Sequence, residues 1–138
     1  MKNKAEQRIM GLSRAVTFES GHYLTGVPDG HKCSRQHGHS YEIRIWLSGP
    51  VQADGFVVDN SQIDGYLKTV RETFDHQNLN ELGIDGLSEN PTIENMLAWV
   101  HDNLPGKLHS LLDRIECKEG RNSMFVMLAQ SRPSRHGT

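Results

Sequence analysis

Between residues 37 and 74 the apolar period of this chain changes from two to 3.6, and that change fixes the kind of fold available. Tyr41, Ile43, Ile45 and Leu47 alternate along the chain, the pattern of a strand with one buried face. Ile63, Tyr66, Leu67, Val70 and Phe74 then follow at helical spacing and form one apolar stripe. A sheet face and a helix stripe of this kind bury each other.

The flanking segments extend the pattern. Residues 15–20 alternate, with Val16, Phe18 and Ser20 on one side, and predict a first strand. A Gly- and Pro-punctuated loop follows over residues 21–35. The strand at 41–47 begins near His37 and ends at Gly49-Pro50, and a short apolar run at 55–58 reads as a strand end or bulge. Asn60 or Ser61 can cap the first helix. Asn90-Pro91-Thr92 opens a second, with Pro91 expected in its first turn. Its stripe is Ile93, Met96, Leu97, Val100 and Leu104, and Pro105-Gly106 ends it. Residues 111–119 and 123–129 read as strands around a Gly120-Arg121-Asn122 turn. The order β-β-α-α-β-β predicts an α+β domain over residues 13–130, a four-stranded antiparallel sheet with two helices on one face. Residues 1–12 and 131–138 read as tails.

A single domain suits 138 residues, which need no disulfide or structural metal merely to fold. A net charge of −2 and a pI near 6.4 argue against a dedicated nucleic-acid binder. No apolar run reaches the length of a membrane span, and residues 1–10 lack the apolar core of a secretion signal. Two cysteines, Cys33 and Cys117, make no disulfide framework. The expected compartment is a reducing cytoplasm.

Eight histidines are more than such a chain needs, and three are placed unusually. His37 and His39 flank Gly38; on a strand both rings point to one side and can bite one metal ion. His22, just past the first strand, is the candidate third ligand if an antiparallel neighbour brings it alongside. Three neutral imidazoles leave a dication its full charge and an open fourth position, the layout of a catalytic zinc. An HxH pair is also common by chance, and His31, His101, His109 and His136 read as solvated or locally hydrogen-bonded. Cys33 lies four residues before His37. Near a dication its thiol is a usable base or nucleophile; it could equally be a small buried residue, or a fourth ligand that closes the site. Asp75-His76 can form a relay in which the carboxylate fixes the imidazole tautomer, or can simply end a helix. Asn90-Pro91-Thr92-Ile93-Glu94-Asn95 reads locally as a helix start. Glu119 ends an inward row with Ile115 and Cys117, while Glu116 and Lys118 share the outer side as a solvated pair.

Taken in order, these signals carry more. Phe18-x-x-x-His22, Gly30-His31-Lys32-Cys33-x-x-x-His37-Gly38-His39, Asp75-His76-x-x-Leu79-Asn80, Asn90-Pro91-Thr92-x-Glu94-Asn95 and Glu119 resemble the bacterial 6-carboxytetrahydropterin synthases, relatives of the 6-pyruvoyltetrahydropterin synthases. The resemblance runs from about residue 14 to 128. It implies a tunnelling fold, three subunits joining their sheets into a barrel and two trimers stacking into a hexamer, with the pterin site between subunits. It implies a Zn²⁺ cofactor on His22, His37 and His39. It implies catalytic roles for Cys33 as general base, Asp75 and His76 as relay pair, and Glu119 as the carboxylate gripping the pterin, with Thr92 beside it. The implied reaction takes 7,8-dihydroneopterin triphosphate to 6-carboxytetrahydropterin, on the route to queuosine. Glu19-Ser20-Gly21, Asn60 and the Gly-Arg-Asn-Ser that follows Glu119 depart from the usual residues. Three other readings stand beside this one. A related class acting in folate synthesis also resembles this chain but usually has Glu in place of Cys33, and Cys33 counts against it. A pyruvoyl-type synthase shares the fold and metal, but the short Cys33-x-x-x-His37 spacing resembles the carboxy type. A structural zinc module would use Cys33 as its fourth ligand.

Overall fold

A computed structural model describes residues 7–129; residues 1–6 and 130–138, which hold the end of the expected domain, the expected tail and His136, lie outside them. Two long strands form the centre. β1 (Ile9–His22) and β2 (His37–Pro50) pair antiparallel without interruption, from Ile9 opposite Pro50 to His22 opposite His37. β1 therefore starts at Ile9, and residues 9–12 belong to this strand and not to a tail. Their alternation is weak because Gly11 and Ser13 leave no apolar row to read.

β4 (Leu112–Glu119) adds antiparallel to β2, and β5 (Ser123–Leu128) to β4. The turn between them is the expected Gly120-Arg121-Asn122, with Gly120 at φ 62°, a left-handed conformation that glycine adopts without a Cβ penalty. A fifth strand was not legible: β3 (Gln77–Asn78) pairs parallel with β1 at Ser20 and Gly21. The sheet order is β3-β1-β2-β4-β5. The α+β class and the core antiparallel sheet match the expectation, with one short strand more.

α1 (Asn60–Phe74) buries Ile63, Tyr66, Leu67, Val70 and Phe74, the stripe read from the sequence. Its cap is Asp59, one residue before the expected Asn60 or Ser61; the carboxylate accepts from the Ser61 amide at 2.9 Å. α2 (Ile93–Asp102) is capped by Thr92, whose hydroxyl accepts from the Asn95 amide at 3.1 Å. Pro91 thus stands before the cap instead of in the first turn, and its carbonyl is left free for use elsewhere. Leu104 is buried although the helix ends at Asp102. A third helix, α3 (Gly106–Leu111), claims Leu111 from the expected strand. Residues 55–58 bend without joining the sheet, so they are not a strand end or bulge. All three helices contribute to one core with Phe18, Tyr41, Ile43, Ile45, Leu47, Ile115 and Cys117 of the sheet. Among the described residues no helix is long and apolar enough to cross a membrane.

Candidate metal centre and adjoining cleft

The inner row of the sheet becomes the site. On β2, Leu47, Ile45, Ile43 and Tyr41 are buried, and the same face continues as His39 and His37. On β1, Phe18 and Ser20 are buried, and that face continues as His22, 3% exposed. The register sets His22 opposite His37 and Ser20 opposite His39. Gly21 and Gly38 oppose each other on the outer side, where a Cβ on Gly21 would stand 2.9 Å from the Gln36 amide nitrogen. The ligating atoms of His22, His37 and His39 lie within 4.8 Å of one another.

Hydrogen bonds to the backbone orient two of the rings. His22 Nδ1 lies 2.8 Å from the Pro91 carbonyl and His37 Nδ1 2.7 Å from the Arg35 carbonyl. A carbonyl only accepts, so each Nδ1 donates a proton and each Nε2 carries a lone pair. This is the outer-shell arrangement that fixes the tautomer of a metal-binding histidine. The two Nε2 atoms face each other at 3.0 Å. Two lone pairs at that distance repel unless a cation lies between them. Two nitrogens bound to one tetrahedral zinc stand about 3.3 Å apart, so the donor set fits this ion. Burial pushes His22 down to about 4; the Pro91 contact opposes this and the charges of His37 and His39 add to it. His22 is therefore neutral at pH 7, as a ligand must be.

A cleft of about 670 Å³ opens on this triad, and Cys33, Thr92 and Glu119 line it with Lys32, Glu94 and Phe125. Cys33 stands in a 3₁₀ turn (Lys32–Ser34) whose cap is His31, with His31 Nδ1 accepting from the Cys33 amide at 3.0 Å. It is partly exposed and free. It is not among the atoms gathered at ligand distance, which among the described residues come from the three histidines. This geometry disfavours the closed structural module. Glu119 pairs with Tyr41 across the sheet and holds a carboxylate oxygen 3.8 Å from His39 Nε2. Glu116 faces the other way and pairs with Arg114 at 2.7 Å, not with Lys118 as the alternation suggested. Thr92 is engaged as a helix cap while lining the cleft.

Asp75 and His76 are the exception. They do touch, with His76 Nδ1 3.0 Å from Asp75 Oδ1, because His76 adopts φ 57° and turns its ring back. Asp75 also accepts from the Glu19 amide at 3.0 Å and lies 3.5 Å from Arg71. The Glu19 amide first, then His76 and Arg71, hold its carboxyl below the usual range. Yet neither residue lines the cleft of Cys33. His76 opens onto a second cleft of about 500 Å³, which the β2 segment of His37 and His39 also borders together with the outward residues Glu19, Gly21 and Ser40. Its side chain is 79% exposed. Within one chain the structure gathers Cys33, Glu119 and the triad, and leaves the relay pair apart.

Of the remaining histidines, His31 caps the Cys33 turn, while His101 bonds Asp102 at 3.1 Å and stacks edge-on against His109. The carbonyls of Pro91 and Arg35 were invisible to residue-type reasoning, since any residue carries one. Lys32 and Glu94 were legible only as neighbours of Cys33 and Thr92.

The sequence profile described as 6-pyruvoyl tetrahydropterin synthase matches residues 11–130. The chain belongs to this family. A protein of Archaeoglobus fulgidus named "Putative 6-carboxy-5,6,7,8-tetrahydropterin synthase" is 31% identical over 102 residues, covering 74% of this chain and 80% of the relative. The "Dihydroneopterin monophosphate aldolase" of Pyrococcus furiosus is 31% identical over 88 residues, covering 61% of this chain and 70% of that protein. Among solved structures, the 6-pyruvoyl tetrahydropterin synthase of Caenorhabditis elegans superposes with a TM-score of 0.77 at 24% identity, covering 88% of this chain and 96% of that one. That likeness establishes the tunnelling fold. The family is one of tetrahydropterin synthases, and this chain carries a three-histidine cluster able to hold a metal.

Proposed function

We propose that this chain is a zinc-dependent lyase that converts 7,8-dihydroneopterin triphosphate and water to 6-carboxytetrahydropterin, triphosphate and acetaldehyde. The observation that carries the reading is the cleft itself, in which the triad, a partly exposed thiol and an inward carboxylate converge. The name of the Archaeoglobus relative and the short Cys33-to-His37 spacing support the carboxy product over the pyruvoyl one.

His22, His37 and His39 hold the metal, which when bound acts as a Lewis acid on the side-chain hydroxyls of the substrate. Glu119 accepts two hydrogen bonds from the pterin, from the 2-amino group and from N3–H. Cys33 takes a proton from the carbon chain beside the metal. His76, held by Asp75, serves the opposite side of that chain. Because this pair points away from its own cleft, it acts in the cleft of a second copy. We therefore propose a homo-oligomer, a hexamer built as a dimer of trimers. Met124, Val126 and Leu128, 48–72% exposed on the edge strand β5, fit such an interface. The product would feed the 7-deazaguanine route to queuosine in the cytoplasm.

The test is incubation of zinc-loaded protein with 7,8-dihydroneopterin triphosphate and mass analysis of the pterin formed. A 6-carboxy product with acetaldehyde is expected. A 6-pyruvoyl product, or a simple aldolase product, would overturn the assignment.

A further inference from the structure

We propose that Lys32 binds the polyphosphate end of the substrate and so sets the direction in which the pterin enters. The inference rests on the lyase reading above and extends it to a residue with no role assigned there.

The cleft has a built-in order along β2. Glu119 stands level with Tyr41, then His39 and His37 follow, and the loop carrying Cys33 and Lys32 begins where the β1–β2 pairing ends at His22 and His37. From Tyr41 to His37 is four residues of strand, about 13 Å. The carboxylates lining the cleft, Glu94 and Glu119, come from α2 and β4. Lys32 is the one Lys or Arg among the described residues that line it. The Tyr41 end of the row carries Glu119, the loop end carries Lys32, and the metal ligands stand between; Glu94 lies on α2, whose start meets the loop end through the Pro91–His22 and Asn90–Thr25 contacts. A molecule with a hydrogen-bond-donating ring at one end and a polyanion at the other fits this order in one direction only.

Lys32 is also uncommitted. Arg14, Arg44, Lys68, Arg71 and Arg114 each pair with a carboxylate. Lys32, like Arg8, Arg35, Lys107, Lys118 and Arg121, forms no ion pair among the described residues and is exposed, and of these six it alone lines the cleft. The backbone beneath Lys32 is nevertheless fixed. Leu24 donates its amide to the Cys33 carbonyl at 2.7 Å, Cys33 donates to His31 Nδ1, and Ser34 Oγ donates to the His31 carbonyl at 2.7 Å. An unpaired ammonium carried on an anchored turn next to Cys33 is available to an anion in the cleft. Arg35 follows three residues later on the same loop, but it does not line the cleft.

The experiment uses zinc-loaded full-length protein carrying Cys33→Ala, so that ligand binds without turnover. Affinities for 7,8-dihydroneopterin triphosphate and for phosphate-free 7,8-dihydroneopterin are measured with and without Lys32→Ala. Lys32→Ala should weaken the triphosphate ester about tenfold or more, the scale of one charge-assisted contact, and leave the phosphate-free pterin unchanged. Lys32→Arg should restore most of the loss. Equal weakening of both ligands, or none of either, would overturn the assignment. If neither pterin binds even with Lys32 present, the lyase reading fails. The Lys32 assignment is then decided by calorimetry with inorganic triphosphate, zinc content being checked afterwards: loss of binding in Lys32→Ala supports it and unchanged binding refutes it.

Discussion

Glu119→Gln tests the cleft most directly, because Glu116 on the same strand is a built-in control. Glu119 stands opposite Tyr41 on the inner face, and Glu116 stands on the outer face with Arg114 at 2.7 Å. Glutamine keeps one acceptor oxygen at position 119 but turns the other into a donor that faces a pterin donor. A hydrogen bond to a charged group contributes about 1.5–3 kcal/mol, so pterin affinity should fall roughly 10- to 150-fold at about 1.4 kcal/mol per tenfold. Glu116→Gln removes only a partly exposed ion pair, worth at most about 1 kcal/mol of stability, and should leave affinity alone. The assay is a fluorescence titration of each zinc-loaded variant with a reduced pterin, with zinc measured in parallel. Equal affinities in the two variants would refute the assignment. So would loss of zinc from Glu119→Gln, since a carboxylate 3.8 Å from His39 would then belong to the metal's surroundings and not to the pterin's.

Other outcomes follow from the same geometry. His37→Ala should purify without stoichiometric zinc, whereas Cys33→Ala should keep zinc and lose turnover by roughly 10²-fold or more, the scale of a general base; elemental analysis with a rate assay decides both. Burial pushes the Cys117 thiol up to about 12, so at pH 8 it stays protonated as well as covered. Iodoacetamide should therefore add one adduct to the folded protein, at Cys33, and two after denaturation, as counted by mass spectrometry. The Asp59 carboxyl lies below its usual range because it accepts from the Ser61 amide and hydroxyl. Its depressed value means that its stabilisation is present at neutral pH and is lost as pH falls through the folded-state value. Asp59→Asn, which keeps an acceptor, should thus melt closer to the parent protein than Asp59→Ala at pH 7, and the Asp59→Ala deficit should shrink in acid.

The strands that carry the site were legible because their buried face is apolar over several residues, as at Tyr41 to Leu47, and the histidines simply continue that count. The stripes of α1 and α2 were legible for the same reason. What escaped notice lacked a side-chain signature. β3 is two residues long and held by backbone pairing to Ser20 and Gly21. α3 spans six residues, too few for a stripe to repeat. Histidine is among the residues enriched at positive φ, but the sequence holds eight of them and nothing in the pattern around His76 marks this one for that conformation. Nor could alternation foresee that the His76 ring would open onto a different cleft from Cys33, since that depends on where α1 delivers the chain.

The continuity of core and ligands along one face makes the histidine cluster a gauge of strand alignment. In a β1–β2 hairpin slipped by one residue, Gly21 or Gly38 would stand where a histidine now faces its partner, and the same slip would carry Phe18 or Tyr41 out of the interior. Misaligned chains could neither bury their aromatic residues nor assemble three imidazoles. Metal uptake during refolding would then report correct pairing of the two longest strands, and a chain that bound the ion early would have its alignment locked from the loop end inward.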